Sequence, residues 1–272
     1  MMATLKSSLK KISLARYVHA RVRGLHDRYE GSKLFANPDL YVQALYRKGA
    51  GPVVLRTHDG LNLTIRQNLW DARIVREIFF DKPYDRHFHL PFQPTIVDIG
   101  GYIGDFSVYA AKYLKARRVV VYEPIAENFE ILKRNVDGNG FGDRITAVNK
   151  AVGNVDELVL NVQKKENDEV HVSAYWYPEA ERRRIPCITL PDLLETHQLE
   201  SVDLLKVDCE GGEYEIFPSV PDRVFDRIRN IVFEYHRVEG FEEKLARVLS
   251  RLESAGYALR RDKGVVSAVR PH

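Results

Sequence analysis

The sequence predicts an α/β fold built around an open, mostly parallel β-sheet. Short apolar runs rich in β-branched residues recur along the chain, and stretches with helical periodicity lie between several of them. Strands that alternate with helices in this way are typical of parallel sheets with right-handed crossovers. The last two apolar runs, joined across Asp262-Lys263-Gly264, predict a terminal antiparallel hairpin.

Residues 1–90 are predicted to form an N-terminal extension. Residues 1–30 are basic, carry apolar residues at helical spacing and lack the continuous apolar run of a signal peptide. We interpret them as a helix that either packs on the main domain or makes a weak contact with an anionic membrane surface, and its narrow apolar face without Trp or Phe favours the first. Val53–Leu55 and Leu61–Ile65 flank an Asp-Gly turn and predict a β-hairpin. A helix is expected around Asp71–Phe80.

Residues 91–272 are predicted to form the main domain, after a linker rich in proline. Its predicted core strands are Thr95–Ile99, Val119–Tyr122, Ile145–Asn149, Val202–Val207 and Ile231–Tyr235. Its predicted helices are Phe106–Leu114, Ile125–Val136, Glu213–Phe217 and Phe241–Ser254, and the terminal hairpin pairs Tyr257–Arg260 with Val265–Val269. Between residues 154 and 190 the alternation stops. There, a β insertion with short strands at Leu158–Val162, Val170–Tyr175 and Ile185–Thr189 is expected to extend the sheet.

The composition is that of an ordinary globular protein. Hydrophobic residues make up 44% and charged residues 29% of the 272 residues, which argues against a disordered or low-complexity chain. The formal net charge of +3 is too balanced to indicate nucleic-acid binding. The two cysteines, Cys187 and Cys209, exclude a disulfide framework and favour a reduced, cytoplasmic protein. No apolar run approaches the roughly 18 residues of a membrane-spanning helix.

A glycine loop follows the first core strand. Gly100 and Gly104 permit positive φ angles and a close backbone approach, so a ligand can lie beyond the carboxyl end of the strand. The spacing matches neither the dinucleotide fingerprint G-x-G-x-x-G nor a P-loop. The loop therefore favours a nucleoside with a small tail over a pyrophosphate ligand.

Three further sets of polar residues lie at the ends of later strands of the predicted sheet. Glu123, at the end of the second core strand, follows the glycine loop at about the offset of a ribose-binding acid. Asp208, Glu210 and Glu213 crowd beside Lys206 at another strand end, where neighbouring charges perturb pKa values. His236 follows the next strand and is a candidate general base.

Together these segments resemble the FkbM-type family of S-adenosylmethionine-dependent methyltransferases. The resemblance rests on Val97–Gly104, Tyr122-Glu123-Pro124, Ala151-Val152-Gly153, the Lys-x-Asp-x-Glu-Gly-x-Glu block at 206–213 and Glu234-Tyr235-His236. It covers about residues 80–270 and departs from the family at Gly101, where Ala is more frequent. It implies a Rossmann-like, doubly wound, seven-stranded sheet with an antiparallel last strand. The cofactor-binding residues that it implies are Asp98, Gly100, Gly101, Tyr102, Gly104, Glu123, Pro124, Asn149, Ala151 and Asp208.

The activity that the resemblance implies is methyl transfer from S-adenosylmethionine to a hydroxyl group of a sugar, a glycan or a polyketide-type small molecule. Asp208 or His236 would accept the proton of that hydroxyl. A divalent metal, held by Asp208, Glu210, Glu234 and His236, is an alternative that is not favoured, because hard cations need several well-placed oxygens.

Three other functions remain as alternatives. A nicotinamide-dependent oxidoreductase would need the G-x-G-x-x-G loop that is absent here. A non-catalytic nucleoside-binding module would keep the pocket but tolerate the loss of Asp208 and His236. A nucleic-acid methyltransferase could use the basic N-terminus with Tyr175, Trp176 and Tyr177 as stacking aromatics, but we interpret these aromatics as strand residues of the insertion.

Overall fold

The computed structural model describes residues 22–46, 51–84, 86–164, 170–173 and 181–271. The predicted helix of residues 1–30 lies largely outside the described residues. Its described part belongs to α1, a helix over residues 22–32. The chain divides into two compact units, Met1–Ala72 and Arg73–His272. Residues 73–90, which the sequence assigns to the N-terminal extension, belong to the second unit in this division.

The first unit contains the predicted hairpin. Its further elements are α2 (Pro38–Tyr46), β1 (Pro52–Arg56) and β2 (Asn62–Arg66). The two strands pair antiparallel with Val53 opposite Ile65, as the Asp-Gly turn predicts. The buried side chains of Arg66 and Asp71 form an ion pair with 3.0 Å between Nε and Oδ2.

The predicted helix around Asp71–Phe80 is present as α3 (Leu69–Arg76). It continues into a π-helical turn, Glu77–Asp81, and ends at Lys82, which has a left-handed backbone with φ of 46°. Because a left-handed residue reverses the chain direction, the segment after Lys82 leaves the helix axis at once.

The second unit is built on the predicted sheet. Among the described residues this sheet has seven strands: β3 (Thr95–Ile99), β4 (Arg118–Tyr122), β5 (Ile145–Val148), β10 (Leu204–Val207), β11 (Asn230–Glu234), β12 (Ala258–Asp262) and β13 (Val265–Val269). Their order is β12-β13-β11-β10-β3-β4-β5. The strands from β11 to β5 pair in parallel, and β13 runs antiparallel to both β11 and β12. The doubly wound sheet with an antiparallel last strand is confirmed.

The strands of the insertion do not extend this sheet. They are β7 (Glu157–Lys164), β8 (Val170–Ser173) and β9 (Glu181–Ile188). With β6 (Ala151–Val152) they form a second sheet of order β6-β9-β7-β8, so the expected extension is wrong. The two-residue strand β6 pairs in parallel with β9, so the chain enters this separate sheet directly after β5.

The helices cover the faces of the main sheet. They are α4 (Asp105–Lys112), α5 (Ala126–Gly138), α6 (Leu190–Thr196), α7 (Glu213–Ser219), α8 (Asp222–Phe225) and α9 (Phe241–Ser254). The central strands β3 and β10 are buried along their whole length, as expected for a parallel sheet with both faces covered. In α9 the buried Leu245, Val248 and Leu252 form one apolar stripe.

Candidate active site

The carboxyl ends of β3, β4, β10 and β11 meet at one edge of the sheet, because these strands are parallel. The residues that directly follow or end these strands are Gly100, Glu123, Asp208 and Glu234. In open α/β sheets ligands bind at this edge. The candidate site is therefore built from this edge outward.

The glycine loop is tied to both neighbouring strands. The N–H groups of Gly100 and Gly101 donate to the Tyr122 carbonyl at 2.9 and 3.0 Å. Gly100 has φ of +79°, and a Cβ atom there would lie 1.7 Å from the Asp208 carbonyl oxygen. Only glycine allows β10 to approach the loop this closely.

Gly101 lies where the described structure leaves no room for a side chain. A Cβ atom at this residue would lie 2.2 Å from Cγ2 of Val121 and 3.0 Å from Cδ1 of Leu132. Both neighbouring side chains are fully buried and cannot move away freely. In this chain, Val121 and Leu132 fill the space that an alanine methyl group would need.

Glu123 is a buried carboxylate surrounded by donors. Its Oε2 accepts from the Tyr102 N–H at 2.8 Å, and its Oε1 accepts from the Ile125 N–H at 3.0 Å and from Asn128 Nδ2 at 3.2 Å. Only 4% of the residue is exposed, and this burial raises its pKa to about 7. A carboxylate oxygen can accept two hydrogen bonds, so Oε2 keeps capacity for a ligand hydroxyl.

The structure brings some of the other predicted cofactor residues to the same end of β4. Asn149 is exposed and donates through Nδ2 to the carbonyls of Glu123 and Pro124, at 2.8 and 3.1 Å. Ala151 is buried in β6, opposite Cys187, and packs with Ile125. Ala151 is therefore part of the packing between the second sheet and the start of α5, near the end of β4.

A buried ion pair lies under the glycine loop. Lys206 and Asp98 are register partners on β10 and β3, and Lys206 Nζ lies 3.0 Å from Asp98 Oδ1. The same ammonium donates to the Gly100 carbonyl at 2.6 Å, and Ser107 Oγ donates to Asp98 Oδ2 at 2.7 Å. Burial opposes a charged lysine, but the surrounding aspartates outweigh it and raise the pKa of Lys206. Lys206 is therefore a permanent cation that joins β10 to the loop.

His236 is held between carboxylates. Glu213, which is fully buried, accepts through Oε1 both the His236 N–H at 2.9 Å and the ring Nδ1–H at 3.2 Å. On the other side of the ring, Nε2 lies 3.7 Å from Asp208 Oδ1 and 3.7 Å from Glu210 Oε2. Burial alone would lower the pKa of His236, but the bond to Glu213 and the three negative charges raise it to about 10. A pKa of about 10 favours the imidazolium form of the ring at neutral pH.

Tyr84 is a member of the site that the sequence did not reveal. It comes from the segment between the π-helical turn and β3, and its hydroxyl lies 3.0 Å from Asp208 Oδ2 and 3.3 Å from Glu234 Oε2. Its buried ring packs edge-on against Phe106. No motif marks this residue, since only the folded chain brings it to the strand ends.

The predicted metal set does not form a coordination site in the described residues. Asp208, Glu210, Glu234 and His236 share one edge of the sheet, yet no group of three or more His, Cys, Asp or Glu side chains among the described residues is arranged to hold a metal ion. The aromatic residues Tyr175, Trp176 and Tyr177 lie outside the described residues. In the part of the chain that is described, no helix is long and apolar enough to cross a membrane.

Comparison with known proteins identifies the family. The model of the methyltransferase FkbM domain matches residues 98–259, from the end of β3 to β12. The chain belongs to the FkbM methyltransferase family. These enzymes depend on S-adenosylmethionine, and the sequence resemblance is confirmed.

Relatives within the FkbM family come from fungi and bacteria. The chain is 30% identical to "Methyltransferase 1" of Beauveria bassiana, over 68% of this chain and 80% of that protein. It is 24% identical to "31-O-demethyl-FK506 methyltransferase FkbM" of Streptomyces tacrolimicus, over 68% of this chain and 81% of that protein. A crystal structure of methyltransferase FkbM from Methylobacillus flagellatus superposes with a TM-score of 0.48 at 16% identity, over 71% of this chain and 47% of that one.

Proposed function

We propose that the protein transfers a methyl group from S-adenosylmethionine to a hydroxyl group of a sugar, glycan or polyketide-type small molecule. The observation that carries this proposal is the position of Asp208. Its main chain contacts the glycine loop, while its side chain is 28% exposed and lies beside the His236 imidazolium. A relative that is named for methylation at an oxygen supports a hydroxyl acceptor.

The residues at the ends of β3 and β4 fit the cofactor. Gly100 and Gly104 leave bare backbone at this edge, with φ angles of +79° and +80°. Glu123 Oε2 has capacity to accept a ribose hydroxyl, and Tyr102 N–H orients this oxygen. S-adenosylmethionine supplies, when bound, an electrophilic methyl group on a sulfonium.

The charged residues divide the remaining chemistry between them. A general base must be unprotonated, and the raised pKa of His236 makes Asp208 the better candidate for that role at neutral pH. We therefore assign proton acceptance to Asp208. When bound, the cofactor would donate its methyl group and leave as S-adenosylhomocysteine. Asp208 would accept the proton of the acceptor hydroxyl, and the His236 imidazolium would stabilise the negative charge that develops on the acceptor oxygen.

Calorimetric titration with S-adenosylhomocysteine tests the cofactor part of this proposal. We expect micromolar binding to the wild type, a loss of at least about tenfold in Glu123→Ala, and no change in Glu130→Ala, which removes an exposed glutamate from α5. Thermal melting of each variant checks that it is folded. Binding of NAD in place of S-adenosylhomocysteine would instead support an oxidoreductase.

Transfer of a labelled methyl group tests the acceptor part. Methyl glucoside and cyclohexanediol, used at high concentration, are small probes that carry ring hydroxyls. We expect labelled ethers to form with the wild type and to decrease about 100-fold or more in Asp208→Asn, whose amide accepts no proton at neutral pH. Cofactor binding without any transfer to hydroxyl, amine or thiol probes would contradict catalysis and favour a binding module.

A further inference from the structure

The hydroxyl of Tyr84 occupies an unusual position between two carboxylates. It lies within 3.3 Å of both Asp208 Oδ2 and Glu234 Oε2, which come from the ends of neighbouring strands. A tyrosine hydroxyl has one proton to donate. It can therefore bind only one ionised carboxylate at a time, and the contact at 3.0 Å assigns that proton to Asp208.

The second contact is the weaker of the two. The Tyr84 hydroxyl also faces Glu234 Oε2 as a donor, at the longer distance of 3.3 Å. Its single proton therefore binds mainly Asp208. All three side chains belong to the second unit, and Tyr84 is only 5% exposed, so water competes little for these bonds.

The consequence for Asp208 is that its two oxygens become different. Oδ2 faces the Tyr84 hydroxyl and, at 3.9 Å, the Lys206 ammonium. Oδ1 lies on the other side, 3.7 Å from His236 Nε2, which is too long for a direct hydrogen bond. Without Tyr84, no other described residue would hold Oδ2 at hydrogen-bond distance, and the carboxylate could rotate to bind the imidazolium directly.

We infer that Tyr84 is a positioning residue, which holds Asp208 so that Oδ1 is kept available for the acceptor hydroxyl. This inference rests on the proposed function, because it assigns Asp208 as the proton acceptor. Tyr84 itself transfers no proton in the reaction. It separates the base from the neighbouring cation, which would otherwise bind that base in an unproductive ion pair.

The first test compares Tyr84→Phe with Tyr257→Phe. Tyr257 is a matched control, because its hydroxyl also faces two acceptors from a buried residue: it lies 2.6 Å from the Ile228 carbonyl and 3.1 Å from the Phe225 carbonyl. With the hydroxyl probes described above, we expect Tyr84→Phe to lower kcat by about 10- to 100-fold and to leave the KM for S-adenosylmethionine within about twofold. Tyr257→Phe should leave both constants unchanged.

A second readout needs no acceptor. In protein with ¹⁵N-labelled histidine, the Nε2 signal of His236 should shift in Tyr84→Phe, because Asp208 turns onto the imidazolium, and should stay in place in Tyr257→Phe. In an Asp208→Asn background, Tyr84→Phe should have little further effect on either readout, because Tyr84 acts through Asp208. A general loss of folding would instead lower activity in both backgrounds.

The outcomes separate the two proposals. An unchanged His236 signal and an unchanged kcat in Tyr84→Phe would overturn the role of Tyr84. A shifted His236 signal in Tyr84→Phe, together with a wild type that methylates none of the probes, would uphold the position of Tyr84 and contradict the hydroxyl acceptor.

Discussion

The two halves of the site are built by different kinds of interaction. The glycine side, which consists of Gly100–Gly104 and Glu123, is shaped by backbone: N–H groups point at carbonyls and at one carboxylate, and missing side chains allow close approach. The charged side, which consists of residues 206–213, Glu234 and His236, is shaped by ion pairs. We therefore expect substitutions on the glycine side to destabilise the protein through steric conflict, and substitutions on the charged side to do so through changes in charge.

Lys206 is the contact between the two sides, and its replacement should have the largest effect. Lys206→Met removes a cation that is 3% exposed and leaves Asp98 buried without its ion-pair partner. Breaking a buried pair in this way costs about 3–5 kcal/mol in the free energy of unfolding. Urea unfolding of the folded chain measures it.

The double variant Asp98→Asn with Lys206→Met controls for the loss of the side chain itself. Since it removes the buried Asp98 charge together with its partner, we expect it to be more stable than Lys206→Met alone. Equal or greater destabilisation of the double variant would mean that the two sides are not joined by charge.

Gly100→Ala tests whether the glycine side depends on the space that a missing side chain leaves. The added Cβ would meet the Asp208 carbonyl, and the residue must also keep a φ of +79°. We expect a loss of about 3 kcal/mol, from backbone strain and overpacking together. Gly140→Ala is the matched control, because Gly140 has φ of +67° with nothing within 4 Å of its Cβ position, so it reports the strain alone at about 1 kcal/mol. Equal losses in the two variants would remove the steric argument.

The sequence predicted much of the glycine side, because its signals are local. The predicted strand Thr95–Ile99 has the same bounds as β3. Glu123 directly follows β4, as the sequence predicted. The separate second sheet was not predicted, since β6 has only two residues and no recognisable pattern. Gly101 could be quoted as a departure from the family, but the lack of room for a side chain there depends on Val121 and Leu132 in the folded chain.

The charged side was predicted in position but not in chemistry. Asp208 and His236 follow strand ends, so their common edge could be expected. Tyr84, however, is 124 residues away from Asp208 in the chain and lies in a segment that we had assigned to the extension. The charge state of His236 depends on three carboxylates that surround it in space, which no sequence pattern reports.

The protonation of His236 gives the prediction with the smallest expected effect, and this effect concerns a single side chain. Because the folded pKa of about 10 exceeds the ordinary value of 6.5, the folded protein binds this proton more tightly than the unfolded chain does. The resulting stability is complete below pH 6.5 and is lost as the pH rises to about 10. An NMR titration of the ring should therefore find His236 protonated at pH 8, and Glu213→Gln should lower its pKa by about one to two units.

His197 provides the internal control for that titration. Its pKa is lowered from 6.5 by burial and by Arg118, and its ring bonds Tyr122 rather than a carboxylate. Glu213→Gln should leave its titration unchanged, so the two histidines should titrate on opposite sides of 6.5 in the wild type. If His236 instead titrated near His197, its ring would be neutral at physiological pH, and the base could be His236 in place of Asp208. The assignment of Asp208 as the base therefore depends on this one proton.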